Sequence, residues 1–264
     1  ICEEKPHIAA ISCIGTSANY IITGGCDASV VLWTWSKKKV NVIAQSVINN
    51  DTITAVAVSN EYGIAISCSR DGIMTIFRLP HLDFIRTVNF NPKESSKIPN
   101  RRLSMSATMN VVSQPSSSAS FLSAHRVLIT KGMGSIVVFL RNENEETNEK
   151  STLIRSYTIN GEWISSSSLE CEVIDAIAVT SKKMIDYLII LIEQPMSQEL
   201  LLIDAYTLNV LSTITTNVST GSSGSGNEIV NESKITKFSY HEDAGIIILA
   251  YNNCEFVFVP FLLN

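Results

Sequence analysis

His7, Thr23, Cys26, Asp27 and Trp33 are the first residues in the chain whose types and spacing could do chemistry. A histidine and an aspartate beside a hydroxyl or a thiol can serve as general base, orienting carboxylate and nucleophile, with Thr23 or Cys26 in the last role. The same order of histidine, hydroxyl, aspartate and tryptophan also suits a buried network. There the imidazole lies between carboxylate and hydroxyl, and every polar group has a partner. We read His7, Thr23, Asp27 and Trp33 as that structural tetrad and assign no catalytic residue.

No metal or cofactor site follows from spacing. The four histidines, His7, His81, His125 and His241, fall in different parts of the chain. His241 alone has a possible second ligand close by, Asp243, in a polar turn too poor in oxygen donors for calcium. The Gly/Ser run at 221–226 lacks the lysine, hydroxyl and following helix of a phosphate loop and reads as a linker. Arg101-Arg102-Leu103-Ser104 matches the pattern taken by basophilic kinases. Ser104 is a phosphosite if the stretch is loop and is closed to a kinase if Leu103 opens a strand.

The elements that must position these residues come from a repeated hairpin. Tyr20 to Trp35, YIITGGCDASVVLWTW, is two β-branched and aromatic runs around a Gly-Gly-Cys-Asp turn. The pattern returns at Ala65 to Leu79, AISCSRDGIMTIFRL, with Ser67, Asp71 and Phe77 standing for Thr23, Asp27 and Trp33. The matched residues are 44 positions apart, the period of a four-stranded propeller blade, and a turn aspartate paired with a strand aromatic narrows it to the WD-repeat type. The second unit has no histidine just before Ile53, and the third has Met133 where the aspartate would stand.

The fold class is therefore all-β: one WD-repeat propeller over 1–264 with five visible blades, a number compatible with part of a seven-bladed ring. The blades fall at about 7–48, 53–90, 103–160, 173–217 and 234–264, with insertions at 91–102, 113–124, 142–152 and 218–233. The inner strand of the third unit is either Leu103 to Val112 or a stretch around Phe121. Its next two strands are Arg126 to Thr130 and Ser135 to Leu140, around a Lys-Gly-Met-Gly turn, which puts Phe139 level with Trp33 and Phe77. The fifth unit shows three strands.

Composition limits the function classes. Twenty basic against 25 acidic residues give a net charge of −5, and charged residues are 17% of the chain. A nucleic-acid partner requires clustered basic residues. The one dense cluster, Lys37-Lys38-Lys39, sits where a turn between outer strands belongs. The six cysteines have no CxxC spacing and lie in or beside apolar runs, which points to a reducing compartment. Matches to the glycosylation pattern at Asn50, Asn217 and Asn231 read as chance. No apolar run reaches the length that crosses a bilayer, so no direct membrane insertion is read.

YIITGGCDASVVLWTW, TITAVAVSNEYGIAISCSRDG, DFIRTVNF, LLIDAYTLNVL and ITKFSYHEDAGIIILAY together resemble the C-terminal WD-repeat region of BEACH-domain, neurobeachin-like proteins. The resemblance spans most of the chain. It implies a propeller behind a BEACH domain in a large cytoplasmic protein of vesicle traffic, peripheral to membranes through the rest of that protein. It acts there as a non-catalytic interaction scaffold. The family's region has WD units ahead of the first one seen here, and no BEACH domain is present. Two alternatives stand beside it: a WD-repeat adaptor of a ubiquitin ligase or an RNA-processing complex, and a propeller hydrolase. The hydrolase needs polar ligands at the starts of the inner strands, which are mostly Ile, Ala and Val.

The expected partner is another protein or a neighbouring domain of the same chain, without cofactor. The d–a and b–c connections of a propeller share one end, which the long insertions also load. Arg70, Lys131 and Trp163 are read as its contacts, with Trp163 an aromatic anchor in a polar loop. The rival reading has Trp163 packing under its own loop.

Overall fold

The computed structural model describes residues 5–35, 39–91, 122–143, 150–194, 197–215 and 234–261. They form five antiparallel sheets, each a meander of chain-consecutive strands. The first holds β1 (Ile11–Thr16), β2 (Tyr20–Gly25), β3 (Val30–Trp35) and β4 (Val40–Ser46). The second holds β5 (Ile53–Ser59), β6 (Ile64–Ser69), β7 (Ile73–Arg78) and β8 (Asp83–Asn89). In the third are β9 (Ser123–Ile129), β10 (Ile136–Glu143), β11 (Lys150–Tyr157) and β12 (Trp163–Leu169). The fourth holds β13 (Glu172–Thr180), β14 (Asp186–Glu193), β15 (Gln198–Asp204) and β16 (Val210–Thr215). The fifth holds β17 (Ile235–His241), β18 (Ile246–Tyr251) and β19 (Phe256–Pro260).

The sheets stand side by side around an axis, with β1, β5, β9, β13 and β17 innermost. Burial follows radius. All six residues of β6 are buried because neighbouring sheets cover both its faces, whereas outermost β8 is almost wholly exposed. Sheets one and two meet through Ile22, Leu32, Val56, Ala65 and Phe77; three and four through Phe139, Ile154, Leu188 and Ile190. Each such buried Phe, Ile or Leu side chain contributes about 1.5–3 kcal/mol relative to exposure.

The third sheet corrects the sequence reading by one strand. Arg126 to Thr130 falls on the first strand, β9, not the second. Ser135 to Leu140 falls on the second, β10, not the third, which is β11. Trp163 to Leu169, read as part of a loop, is outermost strand β12, paired with β11. The reason is compositional: WISSSSL lacks the apolar alternation of a half-buried strand, and an outermost strand does not need it. Phe139 therefore lies on a second strand and is not the equivalent of Trp33 and Phe77, and Met133 sits in the β9–β10 turn. The alternative inner strands at Leu103 to Val112 and around Phe121 lie outside the described residues, as do Ser104, Lys37 and Lys38.

All five innermost hairpins carry an extra residue on the inner strand at the same level: Ser12, Thr54, His125, Ile174 and Thr236. Such a bulge leaves a carbonyl of the partner strand short of its ladder donor. Side-chain hydroxyls supply it in three sheets, Ser12 to the Gly24 carbonyl (2.9 Å), Thr54 to Cys68 (3.2 Å) and Thr236 to Ala250 (3.2 Å).

Candidate functional site

His7, Thr23, Asp27 and Trp33 meet in one network. His7 Nε2 lies 2.8 Å from Thr23 Oγ1, which also accepts from Trp33 Nε1 at 2.9 Å. His7 Nδ1 lies 3.2 Å from Asp27 Oδ1 and 2.8 Å from Ser29 Oγ. Asp27 further accepts from the Ile8 and Ser29 main-chain N–H groups (2.8 and 3.1 Å) and from the Ser29 hydroxyl (2.7 Å). With its proton on Nδ1, the imidazole donates toward Asp27 and Ser29 and accepts from Thr23, so every group is used. Burial alone would raise the Asp27 carboxyl; hydrogen bonds from Ser29, Ile8 and His7 outweigh it and hold the group well below the usual carboxylate range.

Glycine makes the room. A Cβ on Gly25 would lie 2.6 Å from His7 Nδ1 and closer still to Asp27 Oδ1. Ser29 and Gly25 are members that the sequence reading missed.

The second sheet builds the site differently. Ser67 and Thr75, both buried, share hydrogen bonds with buried Asn49. Asp71 instead accepts from Ser69. Phe77 is fully buried against the first sheet. In the other sheets the position of Thr23 is taken by buried Val138, Ile190 and Leu249, which need no polar partner.

The axis encloses a cavity of about 730 Å³ lined by β1, β5, β9 and β13 and by Lys237 of β17. The residues following the bulges are Cys13, Ala55, Arg126, Asp175 and Lys237. The last three form a line of charge across three sheets. Arg126 pairs with Asp175 and donates to the Ala176 carbonyl at 2.6 Å, and Lys237 Nζ lies 3.3 Å from Asp175 Oδ2. This corrects the apolar channel expected from the strand starts: the charged residues sit mid-strand, and Arg126 had been assigned to a second strand. His125 lies beside them, edge-on to Phe139, and neither ring nitrogen has a hydrogen-bond partner among the described residues. Burial, then the Arg141 and Arg126 charges, lower its pKa to about 4. Among the described residues no group of three or more His, Cys, Asp and Glu is placed to hold a metal ion, and no helix is long and apolar enough to cross a membrane.

Arg70, Lys131 and Trp163 do not share an end. Arg70 is in the β6–β7 turn, beside the chain entering β5 through its N–H bond to the Thr52 carbonyl. Lys131 is in the β9–β10 turn and Trp163 opens β12 after the β11–β12 turn, both at the opposite end. That end carries a patch on sheets three and four: Trp163 (63% exposed), Met133, Met184, Ile185 and Tyr206. Asp186 fastens it, accepting from the N–H groups of Gly132 (2.8 Å) and Met133 (2.7 Å) and from Thr180 Oγ1 (2.6 Å). The turn holding Tyr206 is tied to the third sheet through Ser165 Oγ, which donates to the Tyr206 carbonyl at 2.6 Å.

Solved structures share this arrangement of sheets. The chain aligns with the WD40 propeller domain of Doa1 over 97% of its length at 13% identity and a TM-score of 0.51. It aligns with the WD40 domain of Toxoplasma gondii coronin over 93% at 11% identity and 0.56. The fold is a WD40-type β-propeller. A computationally designed protein, Ika8, gives 98% coverage, 11% identity and a TM-score of 0.56. The propeller here spans 66%, 54% and 61% of those three chains. No family model and no curated protein matches the sequence.

Proposed function

We propose that this propeller is a non-catalytic protein-interaction platform and that its partner docks at the end carrying the β9–β10 and β11–β12 turns. The observation that carries the proposal is the patch of Trp163, Tyr206, Met133 and Met184, held by Asp186 and Ser165 across two sheets. Exposed aromatic and methionine side chains on a rigid base are the anchors that dominate protein interfaces. Lys131 lies beside the patch and lines a cavity of about 180 Å³ with Thr180, Tyr240 and Glu242. Arg70 is not part of this surface. The histidine and aspartate that could have formed a catalytic pair with Thr23 or Cys26 are spent on each other, on Thr23 and on Ser29.

The setting we propose is the one implied by the sequence resemblance: a cytoplasmic vesicle-traffic protein of the BEACH class, in which the propeller receives a partner protein or a neighbouring domain. The alternative is a WD-repeat adaptor in a ubiquitin ligase or RNA-processing complex. A BEACH domain encoded in the same gene decides for the first.

The docking surface is tested by affinity capture with quantitative mass spectrometry, using the wild-type chain, Trp163→Ala/Tyr206→Ala and Arg70→Glu. The double variant should lose the partners that wild type enriches, with an unchanged thermal midpoint, while Arg70→Glu retains them. The reverse result would place the docking surface at the other end.

A further inference from the structure

The patch on sheets three and four is sorted by radius. In both sheets the inner hairpin turn carries lysine and the outer one an aromatic: Lys131 lies inside Trp163, and Lys182 and Lys183 lie inside Tyr206. Met133, Met184 and Ile185 share the inner turns with the lysines, and all of these side chains are exposed.

The inner turns are fixed before any partner arrives. Tyr62 Oη, from the second sheet, donates to the main-chain carbonyls of Lys131 and Gly132, each at 2.9 Å. The turn of the fourth sheet closes on itself: the Ser181 N–H donates to the Ile185 carbonyl at 2.8 Å and the Met184 N–H to the Ser181 carbonyl at 2.9 Å. Lysines on such a frame present charge from set backbone positions, which lowers the ordering cost of binding.

Charge at this place runs against the balance of the chain, which has 25 acidic and 20 basic residues. Lys131, Lys182 and Lys183 have no ion pair among the described residues. The carboxylate set between the two inner turns, Asp186, is buried and occupied by the Gly132 and Met133 N–H groups and the Thr180 hydroxyl. Carboxylates frame the basic ground at the same end: Glu61 in the β5–β6 turn, Glu242 in the β17–β18 turn and Glu162 beside Trp163.

We propose, on the reading of this end as the docking surface, that the partner presents a short acidic peptide segment with a bulky apolar anchor. Its carboxylates lie over Lys131, Lys182 and Lys183, and its anchor packs at the rim against Trp163 and Tyr206. Complementary charge fixes the direction of the segment, acid toward the axis and apolar group outward. An anionic membrane would meet the same lysines, but a flat surface would also press on Glu61, Glu162 and Glu242, which a narrow segment avoids.

Selection from a displayed random-peptide library against the immobilised 264-residue chain tests this. Enriched peptides should carry Asp or Glu beside an aromatic or large aliphatic residue. The affinity of one synthetic example should fall at least about tenfold on Lys131→Glu/Lys182→Glu/Lys183→Glu and again on Trp163→Ala/Tyr206→Ala. Enrichment without acidic residues, or none at all, overturns the proposal. Loss on the aromatic variant with retention on the lysine variant overturns the acidic partner and leaves the docking surface standing, whereas retention on both overturns both. Sedimentation with phosphatidylserine vesicles in the absence of any selected peptide overturns it in favour of a membrane. A second measurement needs no variant to fold: raising sodium chloride from about 0.05 to about 0.5 M should weaken the selected peptide at least about tenfold on the unaltered chain, and an unchanged affinity overturns the proposal.

Discussion

Asn49 holds Ser67 in the second sheet as His7 holds Thr23 in the first, from the same connection ahead of the inner strand and with both of its own amide atoms engaged. Removing it leaves the buried hydroxyls of Ser67 and Thr75 without that partner. Asn49→Ala should therefore lose about 1–3 kcal/mol in chemical denaturation, and Asn49→Ala/Ser67→Ala/Thr75→Val should recover part of that loss because no orphan remains.

The His7 and Asp27 side chains belong to one network, so their contributions should not add. His7→Ala and Asp27→Ala should each cost about 1–3 kcal/mol, and the double variant less than the sum. A sum that closes would separate the two residues.

Acid gives an independent reading of Asp27. Its folded pKa lies below the unfolded value, so the stability it contributes is present above the unfolded pKa and is lost as pH falls. Denaturation midpoints of wild type should decline faster than those of Asp27→Asn below about pH 4, where unfolded aspartate begins to take up protons.

His125 works in a higher window. Its pKa of about 4 when folded lies below the 6.5 of a free histidine, so between these values the unfolded chain binds the proton and the folded chain does not. Stability should rise with pH across that window. His125→Phe should flatten the rise, with the curves converging toward parallel above about pH 7.

Asp186 joins two sheets by accepting from the Gly132 and Met133 main-chain N–H groups. Asp186→Ala should destabilise by about 1–3 kcal/mol and speed amide exchange at Gly132 and Met133, while amides of the first sheet keep their protection.

The first two sheets are legible because a turn aspartate, a strand hydroxyl and a strand aromatic mark each hairpin. Ser123–Ile129 carries no such mark, and serine-rich β12 resembles a loop because an outermost strand needs little apolar surface. The charge line escaped for another reason. Arg126, Asp175 and Lys237 stand one to a sheet, far apart in the chain, and only the ladder register brings them together. Each follows the one residue that interrupts inner-strand pairing, a place that the register shows and the residue types do not, since His125, Ile174 and Thr236 share no side-chain chemistry. Asn49 and Ser29 were missed because amide and hydroxyl groups replaced an expected histidine or added to one.

The hydroxyl-capped bulges separate two tasks that an inner strand otherwise performs with the same residues. Where Ser12, Thr54 and Thr236 satisfy the neighbouring carbonyl, the next side chain owes nothing to the sheet's own bonding. That next position is cysteine, alanine and lysine in those sheets, and arginine and aspartate in the other two. The lining of the axis can thus change its chemistry one residue at a time over evolutionary history, while the framework that carries it stays the same.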